Sequence, residues 1–319
     1  MRQRVSILLT IGIVLVLGCS NQQSLVFYIN SYHEGYGSSD DITEGIQETL
    51  TEAGVNLEIF YMDTKRQNSP EYLEEITAQA LQRINELKPA VIIASDDNAV
   101  KYVVAPHFKE GDIPVVFCGV NWSCDQYGLP TANVTGMLEV LPLDTAFITL
   151  KAMYPDAQNL TILSEHSQSE QKNKEILDPL YKSYAFEPTY ALVGNYSDWK
   201  TAYTRANQEA DLIFFVTNGA IKNWNEADAM AHIQQTIKTP IFTADDFVMD
   251  YAVFGFTKVA KEQGVWAAQA ALTILAGTSP ADIPVTKNQQ AETYLNETLA
   301  EQLGVKIPNE FRGEFSRIK

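Results

Sequence analysis

Two pairs of adjacent aspartates are the residues of this chain whose type and spacing best suit the binding of a charged ligand. Asp96-Asp97 and Asp245-Asp246 each follow a short apolar run and come directly before a helix-like stretch. Aspartate is a preferred residue at the beginning of a helix, so capping alone can account for any one of the four carboxylates. The functional alternative is that one acid from each pair reaches a shared cleft. Together the two carboxylates would then hold an ammonium group, which an amino acid or a small amine supplies.

Other reactive groups do not form the patterns that catalysis or metal binding requires. The sequence has neither a nucleophile elbow nor a glycine-rich phosphate loop. The histidines are His33, His107, His166 and His232, and no two of them have the spacing of metal ligands. We therefore predict a protein that is not an enzyme, with no catalytic residues, no metal and no cofactor.

Strand-like runs alternate with helix-like patterns along most of the chain, which predicts parallel sheets built from βαβ units. The runs fall into two sets, and this grouping predicts an α/β protein of two doubly wound parallel-sheet lobes rather than one large sheet. The runs are residues 25–29, 57–61, 90–94 and 114–117 in the first set and 160–163, 190–193, 212–216 and 240–243 in the second.

One further strand and helix follow the second set, and they define the expected domain boundaries. We expect this unit to return to the first lobe, so that several crossing segments form a hinge beside a cleft that can close. The N-terminal lobe would then comprise residues 25–138 and 252–283, and the C-terminal lobe residues 139–251. Residues 284–319 would form a tail that packs on the lobes, with a helix-like stretch at 291–303.

The loops after the strands are the expected binding surface, because ligands of open parallel sheets bind beyond the carboxyl ends of the strands. These loops carry small polar and aromatic side chains. Helix N-termini beside them favour a carboxylate or another anionic group, and aromatic rings could stack on an aromatic ligand. The predicted ligand-binding residues are Asn30, Ser31, Tyr32, Ser95, Asp96, Asp97, Asn98, Asn121 and Trp122 in the first lobe and Ser167, Thr217, Asn218, Asp245 and Asp246 in the second.

Charge and cysteine content limit the class of partner. The chain carries 23 Lys and Arg against 40 Asp and Glu, a formal net charge of −17. So acidic a surface argues against nucleic acid as a partner. Cys118 and Cys124 lie six positions apart. In an exported protein they can form a disulfide, or Cys118 can simply be buried at the end of its strand, and the sequence favours neither.

The N-terminal residues have the parts of a secretory signal peptide. A basic start precedes an apolar run at residues 5–17, and a small residue precedes Cys19. The run is too short to span a bilayer. Residues 16–19 resemble a bacterial lipobox, which predicts cleavage after residue 18 and lipid attachment to Cys19. Residues 19–24 would then tether the folded chain to the periplasmic or extracellular face of a membrane.

Several short motifs, at residues 28–33, 62–66, 92–98, 116–121, 262–268 and 281–284, are similar to those of one protein family. With them the chain resembles the ABC-transporter substrate-binding proteins of the periplasmic binding protein type I fold. Within that family it resembles the branch with tryptophan- and tyrosine-binding lipoproteins and the periplasmic sensing domains of some histidine kinases and diguanylate cyclases. The resemblance covers about residues 25–315.

The resemblance implies a monomer that captures a small molecule in the cleft between its lobes. The implied ligand is an amino acid, aromatic ones included, or a related amine, and the implied partner is the permease of an ABC importer. The alternative is a binding protein that signals to a membrane histidine kinase or diguanylate cyclase. Because the same two-lobed protein could serve either partner, the sequence does not separate the two.

Overall fold

Strands of two separate sheets organise the part of the chain that the structure, a computed structural model, describes: residues 24–311 and 313–318. In chain order they are β1 (Leu25–Asn30), β2 (Asn56–Tyr61), β3 (Val91–Ser95), β4 (Val115–Asn121), β5 (Val134–Glu139), β6 (Asn159–Glu165), β7 (Glu187–Val193), β8 (Leu212–Phe215), β9 (Ile241–Thr243), β10 (Phe254–Lys258), β11 (Thr286–Lys287), β12 (Ala291–Asn296) and β13 (Phe315–Ile318). The first sheet has the order β11-β5-β4-β3-β1-β2, and the second has the order β13-β12-β10-β9-β8-β6-β7. The predicted fold class, two parallel-sheet α/β lobes, is confirmed.

Helices connect most of these strands and cover the faces of the sheets. They are α1 (Gly37–Glu52), α2 (Pro70–Leu87), α3 (Asp96–Ala99), α4 (Ala105–His107), α5 (Leu143–Met153), α6 (Gln168–Ser183), α7 (Tyr196–Glu209), α8 (Glu226–Thr236), α9 (Ala260–Leu275) and α10 (Glu297–Leu303). A π-helical turn, Val100–Val104, joins α3 to α4, and 3-10 turns cover Asp125–Tyr127, Asp246–Tyr251, Pro280–Asp282 and Asn309–Phe311. Adjacent strands pair in parallel except β10 and β12, which are antiparallel.

The first sheet is buried on both faces, which explains why its strands read as continuous apolar runs. Helix α2 contributes Ile76 and Ile84 to the hydrophobic cluster on one face. Helices α1 and α9 contribute Ile46 and Ala271 to the cluster on the opposite face. Both helical faces follow the spacing of three and four residues that the sequence shows. The sheet is thus held rigidly, and its strand ends present fixed loops.

The strand after the second set does not lie where the sequence analysis expects it. Strand β10 pairs in parallel with β9 and antiparallel with β12, so it belongs to the second sheet, and the expected return of residues 252–256 to the first lobe is wrong. Helix α9 does return to the first lobe, where it packs against α1. Hydrophobic periodicity identifies a strand but not the sheet edge that it joins. Here the free edge of β9 is adjacent in the chain, and a short connection is favoured.

The C-terminal segment divides between the two lobes. Strand β11 adds to the first sheet beside β5, whereas β12 and β13 add to the second sheet. The expected helix at 291–303 begins only at Glu297, because Ala291–Asn296 is β12. The chain therefore crosses between the lobes in three places, at residues 140–142, 259 and 288–290, which we call the hinge.

The cysteines of the first lobe are free thiols. Cys118 is buried in β4, and Cys124 is buried with its Sγ donating a hydrogen bond to the carbonyl oxygen of Leu129. A disulfide between Cys118 and Cys124 is therefore absent, and burial explains both residues. Cys19 and the predicted signal peptide at 1–18 lie outside the described residues, as does the tether up to residue 23.

Candidate functional site

A pocket of about 190 Å³ lies between the two lobes. It is formed at the carboxyl ends of β4 and β5 in the first sheet and of β8, β9 and β10 in the second, together with one side of α6. Strand ends of this kind are where open parallel sheets bind ligands. The residues that line this interlobe pocket are Asn121, Trp122, Glu139, Val140, Leu141, Glu170, Asn173, Val216, Thr217, Ala244, Asp245 and Lys258.

Four of the residues predicted from the sequence line this pocket: Asn121, Trp122, Thr217 and Asp245. Two come from each lobe, so the structure brings together strand ends that are about a hundred residues apart. Trp122 lies half-buried at the pocket wall, and its backbone has a left-handed conformation with φ +62°. Its backbone N–H donates to the carbonyl oxygen of Glu139 at 3.0 Å, which holds the loop after β4 against the end of β5.

Three predicted residues of the first lobe are buried below the pocket and support its loops. Ser31 Oγ donates to the carbonyl oxygen of Ser95 at 2.6 Å and accepts the backbone N–H of Ala99 at 2.7 Å. Asn30 Oδ1 accepts hydrogen bonds from the backbone N–H of Tyr32 and from Ser39 Oγ, both at 2.8 Å. Asn30 Nδ2 donates to Thr43 Oγ1, and Ser95 Oγ hydrogen-bonds with Tyr28 Oη. The side chains of Asn30, Ser31 and Ser95 are thus satisfied internally, and none of the three residues lines the pocket.

Asp97 and Asn98 form hydrogen bonds with other side chains and do not line the pocket. Asp97 accepts hydrogen bonds from Tyr127 Oη at 2.6 Å and from Asn121 Nδ2 at 2.7 Å, so it orients the Asn121 amide that lines the pocket. Asn98 Nδ2 donates to Thr64 Oγ1 at 2.8 Å, which ties the start of α3 to the loop after β2. Asp97 therefore contributes structure at the pocket wall.

Tyr32 lies half-buried above the strand ends of the first lobe. Its ring contacts the ring of Tyr36 with centroids 5.0 Å apart, and the Lys65 ammonium lies 4.6 Å from the centroid of the Tyr32 ring. Tyr32 is not among the residues that line the interlobe pocket.

Of the remaining residues predicted in the second lobe, two form local hydrogen bonds and one is exposed to solvent. Ser167 caps α6, because its Oγ accepts the backbone N–H of Glu170 at 3.2 Å. The carbonyl oxygen of Asn218 accepts the backbone N–H of Ile221 in a turn. Asp246 is exposed at the start of its 3-10 turn and does not line the pocket, whereas its neighbour Asp245 does.

Glu139, Glu170, Asn173 and Lys258 line the pocket, but the sequence analysis does not predict them. A sequence signal exists for Glu170, since Ser167 and Glu170 have the S-x-x-E spacing of a helix start. Its carboxylate accepts hydrogen bonds from Ser164 Oγ at 2.8 Å and from Asn173 Nδ2 at 2.7 Å. Glu139 and Lys258 are the last residues of β5 and β10, and nothing local distinguishes them from other strand-end charges.

Burial and like charges disfavour ionisation of the acids around the pocket. Burial raises the pKa of Glu170 above its ordinary value, and the charges of Glu165 and Asp245 act in the same direction. Burial also raises the pKa of Asp245, with a further contribution from Asp246. This outweighs the hydrogen bond that its Oδ1 accepts from Phe247 N–H and the charge of Lys258, which both lower the pKa. Neither Glu170 nor Asp245 forms an ion pair with any described residue. The second lobe thus presents two neighbouring carboxylates to which a cation would be attracted.

Lys258 and Glu139 line the pocket next to the hinge. Lys258 Nζ forms an ion pair with Glu139 Oε1 across the two lobes. Burial lowers the pKa of Lys258, but the adjacent Glu139, with smaller effects of Asp96 and Asp245, outweighs burial and raises it. Asp96, a predicted ligand-binding residue, is buried and does not line the pocket. Burial together with the Glu139 charge raises its pKa to about 8. No group of three or more His, Cys, Asp or Glu side chains in the described part of the chain could hold a metal ion.

Comparison with known proteins agrees with this architecture of two lobes around a pocket. The model of a family described as ABC transporter substrate binding protein matches residues 34–315. The chain belongs to this family. Substrate-binding proteins of ABC importers act outside the cytoplasm and bind their cargo rather than transform it. Among the described residues of this substrate-binding protein, no helix has both the length and the apolar character needed to cross a membrane.

Individual relatives of this substrate-binding protein are distant. A tyrosine-binding protein of Clostridioides difficile is 23% identical over 206 residues, which cover 61% of this chain and 58% of the relative. A ligand-free, open structure of a substrate-binding protein with adhesive properties from Clostridium difficile has a TM-score of 0.72 at 17% identity, covering 93% of this chain and 99% of the other. A Streptococcus pneumonia ABC domain in complex with L-Trp has a TM-score of 0.62 at 18% identity, covering 93% and 100%. At these identities the structural matches show the shared fold.

Proposed function

We propose that this chain is a lipid-anchored substrate-binding protein that captures a small molecule with an ammonium group and delivers it to an ABC importer. The ligand class is an amino acid, aromatic ones included, or a related amine. The observation that carries this proposal is the pair of carboxylates, Glu170 and Asp245, which face the interlobe pocket without an ion-pair partner among the described residues. The ionised form of such buried acids becomes more favourable when a ligand cation lies next to them.

The rest of the pocket suits the remainder of such a molecule. Leu141, Val216 and the half-buried ring of Trp122 provide apolar surface for a side chain. Thr217 and the Asn121 amide provide neutral hydrogen-bond donors for a carboxylate or a carbonyl group. The tyrosine-binding relative and the structure with L-Trp support an amino acid as the ligand class.

Thermal unfolding of the purified chain with a panel of ligands tests the ligand class. The panel pairs L-amino acids with their decarboxylated amines and with their N-acetyl derivatives, which lack the ammonium group. A ligand at a hundred times its Kd stabilises the folded state by about 2.7 kcal/mol, so binding should raise Tm measurably. We expect free amines to raise Tm and the acetylated forms not to do so. Equal shifts with both forms would contradict recognition of an ammonium group.

Two adjacent aspartates provide a matched pair of variants for the same assay. Asp245→Asn removes a carboxylate that faces the pocket, whereas Asp246→Asn removes an exposed one next to it. We expect Asp245→Asn to weaken amine binding at least about tenfold, which corresponds to about 1.4 kcal/mol, and Asp246→Asn to bind as the wild type does. Similar losses in both variants would instead indicate a general effect of surface charge.

The anchor and the delivery step need cellular tests. Cys19→Ser should move the protein from the membrane fraction to the soluble fraction and leave its affinity for amines unchanged. Deletion of the gene should reduce uptake of the bound amine, and the wild type should restore uptake where Asp245→Asn does not. Recovery of a sensor kinase or cyclase with the protein, without any permease, would contradict delivery to an importer.

A further inference from the structure

The protein places an ammonium group of its own at the floor of the interlobe pocket. Lys258 ends β10 in the second lobe, and its Nζ pairs with Glu139 Oε1 at the end of β5 in the first lobe. The side chain of Lys258 is 32% exposed and that of Glu139 is 11% exposed, so the pair is accessible from the pocket on the lysine side. Asp96 and Asp245 also act electrostatically on this ammonium.

Asp96 lies buried close to this ion pair. Asp96 is 8% exposed, and its Oδ2 accepts no hydrogen bond. The backbone of Asp96 is left-handed at φ +67°, and a Cβ at Gly119 would lie 3.2 Å from Asp96 Oδ1. The carboxyl group is thus packed tightly in place, and the charges of Glu139 and Lys258 both act on its pKa. Glu139 forms the environment for a cation here, and Lys258 is the cation present.

The acids on the two sides of the pocket therefore differ in whether they form an ion pair with a cation of the protein. On the second-lobe side, Glu170 and Asp245 have no ion-pair partner among the described residues. On the first-lobe side, Glu139 is already paired with Lys258. Because both sides line one pocket of about 190 Å³, a small ligand that reaches the open acids also lies close to Lys258.

We propose that Lys258 occupies a second ammonium subsite of the pocket and thereby restricts the ligand to molecules with a single cationic group. This inference rests on the proposed function, since it assumes that the pocket binds amines. A ligand with two ammonium groups would place its second charge near Lys258 Nζ. Like charges a few ångströms apart in a partly buried site repel strongly enough to reduce affinity at least about tenfold.

Two pairs of amino acids that differ in one ammonium group test the restriction. L-Lysine and L-norleucine differ only at the ε position, where norleucine carries a methyl group. 4-(Aminomethyl)-L-phenylalanine and L-phenylalanine form the corresponding aromatic pair. By calorimetry we expect the wild-type protein to bind the monocationic member of at least one pair at least about tenfold more tightly. Lys258→Met should reverse this preference, and Lys258→Arg should retain it.

A doubly neutral variant keeps the test valid if Lys258→Met fails to fold. Glu139→Gln/Lys258→Met leaves no unpaired charge from this ion pair and should fold. It should bind both members of a pair within about threefold of each other, since the repulsion is gone and Glu139 no longer attracts a second cation. A persistent preference for the monocation in the double variant would overturn the proposal.

Two other outcomes are informative. If Lys258→Met weakens binding of an amino acid and leaves its decarboxylated amine unaffected, Lys258 binds the ligand carboxylate and the proposal is overturned while the proposed function stands. If neither pair nor any decarboxylated amine binds wild type or Lys258→Met, the proposed ligand class itself is wrong and the inference falls with it.

Discussion

The side-chain amide of Asn288 pairs with the backbone of Val140 in the hinge. Val140 N–H donates to Asn288 Oδ1 at 2.7 Å, and Asn288 Nδ2 donates to the carbonyl oxygen of Val140 at 3.1 Å. The backbone N–H of Asn288 donates in turn to the carbonyl oxygen of Leu138. Two of the segments that cross between the lobes are therefore joined as in a short sheet, although they lie about 150 residues apart. The hinge is held together next to the floor of the pocket.

We expect Asn288→Ala to reduce the free energy of unfolding by about 2 kcal/mol. Asn288 is 6% exposed, and its removal leaves the N–H and carbonyl groups of Val140 without their hydrogen-bond partner. Urea unfolding followed by circular dichroism measures the loss. Gln289→Ala, at the exposed next position, should change the stability by less than about 0.5 kcal/mol. Equal effects of the two variants would show that the amide pairing contributes little.

We expect Gly264→Ala to destabilise the first lobe, although alanine is the better helix former by about 1 kcal/mol. A Cβ at Gly264 in α9 would lie 2.0 Å from the carbonyl oxygen of Ile42 in α1. Since the obstacle is backbone, the helices must separate, at a cost of about 2 kcal/mol or more. Thermal unfolding measures the change. A Cβ at Gly194 would meet nothing within 4 Å, so Gly194→Ala should leave Tm within a few degrees of the wild type.

We expect Asp96→Asn to become progressively stabilising, relative to the wild type, as the pH rises. Burial raises the pKa of Asp96 from 3.8 to about 8. Between these values the unfolded chain has lost the proton that the folded chain still holds, so folding becomes less favourable by up to about 1.4 kcal/mol per pH unit. Asparagine mimics the protonated acid and tolerates the left-handed backbone.

The measurement for Asp96 is urea unfolding of both proteins at pH 5 and pH 8. The stability of Asp96→Asn relative to the wild type should be greater at pH 8 than at pH 5, and should change little further above about pH 8 to 9, where folded and unfolded wild type are both ionised. Asp246→Asn serves as the control at an exposed carboxylate. A difference between variant and wild type that does not vary with pH would contradict a protonated Asp96.

We expect the stability of the chain to be independent of thiol reductants. Cys118 and Cys124 are free and buried, so dithiothreitol has no bond to break between them. In a Cys19→Ser background, Tm should be the same with and without dithiothreitol. Both thiols should react with Ellman's reagent only after unfolding, because burial raises the pKa of each and limits access. A drop in Tm on reduction would indicate a disulfide.

Much of the fold can be predicted from the local pattern of apolar residues. The residues that line the pocket can be predicted from it only in part. Apolar runs buried on both faces and helices with spacing of three and four residues predict the α/β lobes. The rule that ligands bind at strand ends selects the loops that contain Asn121, Trp122, Thr217 and Asp245, and these four residues line the interlobe pocket. The rule cannot distinguish these four residues, which line the pocket, from Asn30 and Ser31, which are buried. Whether a strand-end residue is buried depends on which strands are neighbours in the sheet.

The sequence by itself determined the two-lobed α/β class, the parallel sheets and the strand ends as candidate binding loops. These properties depend on hydrophobic periodicity and turn residues, which act over a few positions. Only the tertiary structure decided that β10 stays in the second sheet while α9 returns to the first. It also decided that Lys258 meets Glu139, and that Glu170 lies near Asp245. Those relationships join residues far apart in the chain. They arise from sheet order and burial, which no local spacing encodes.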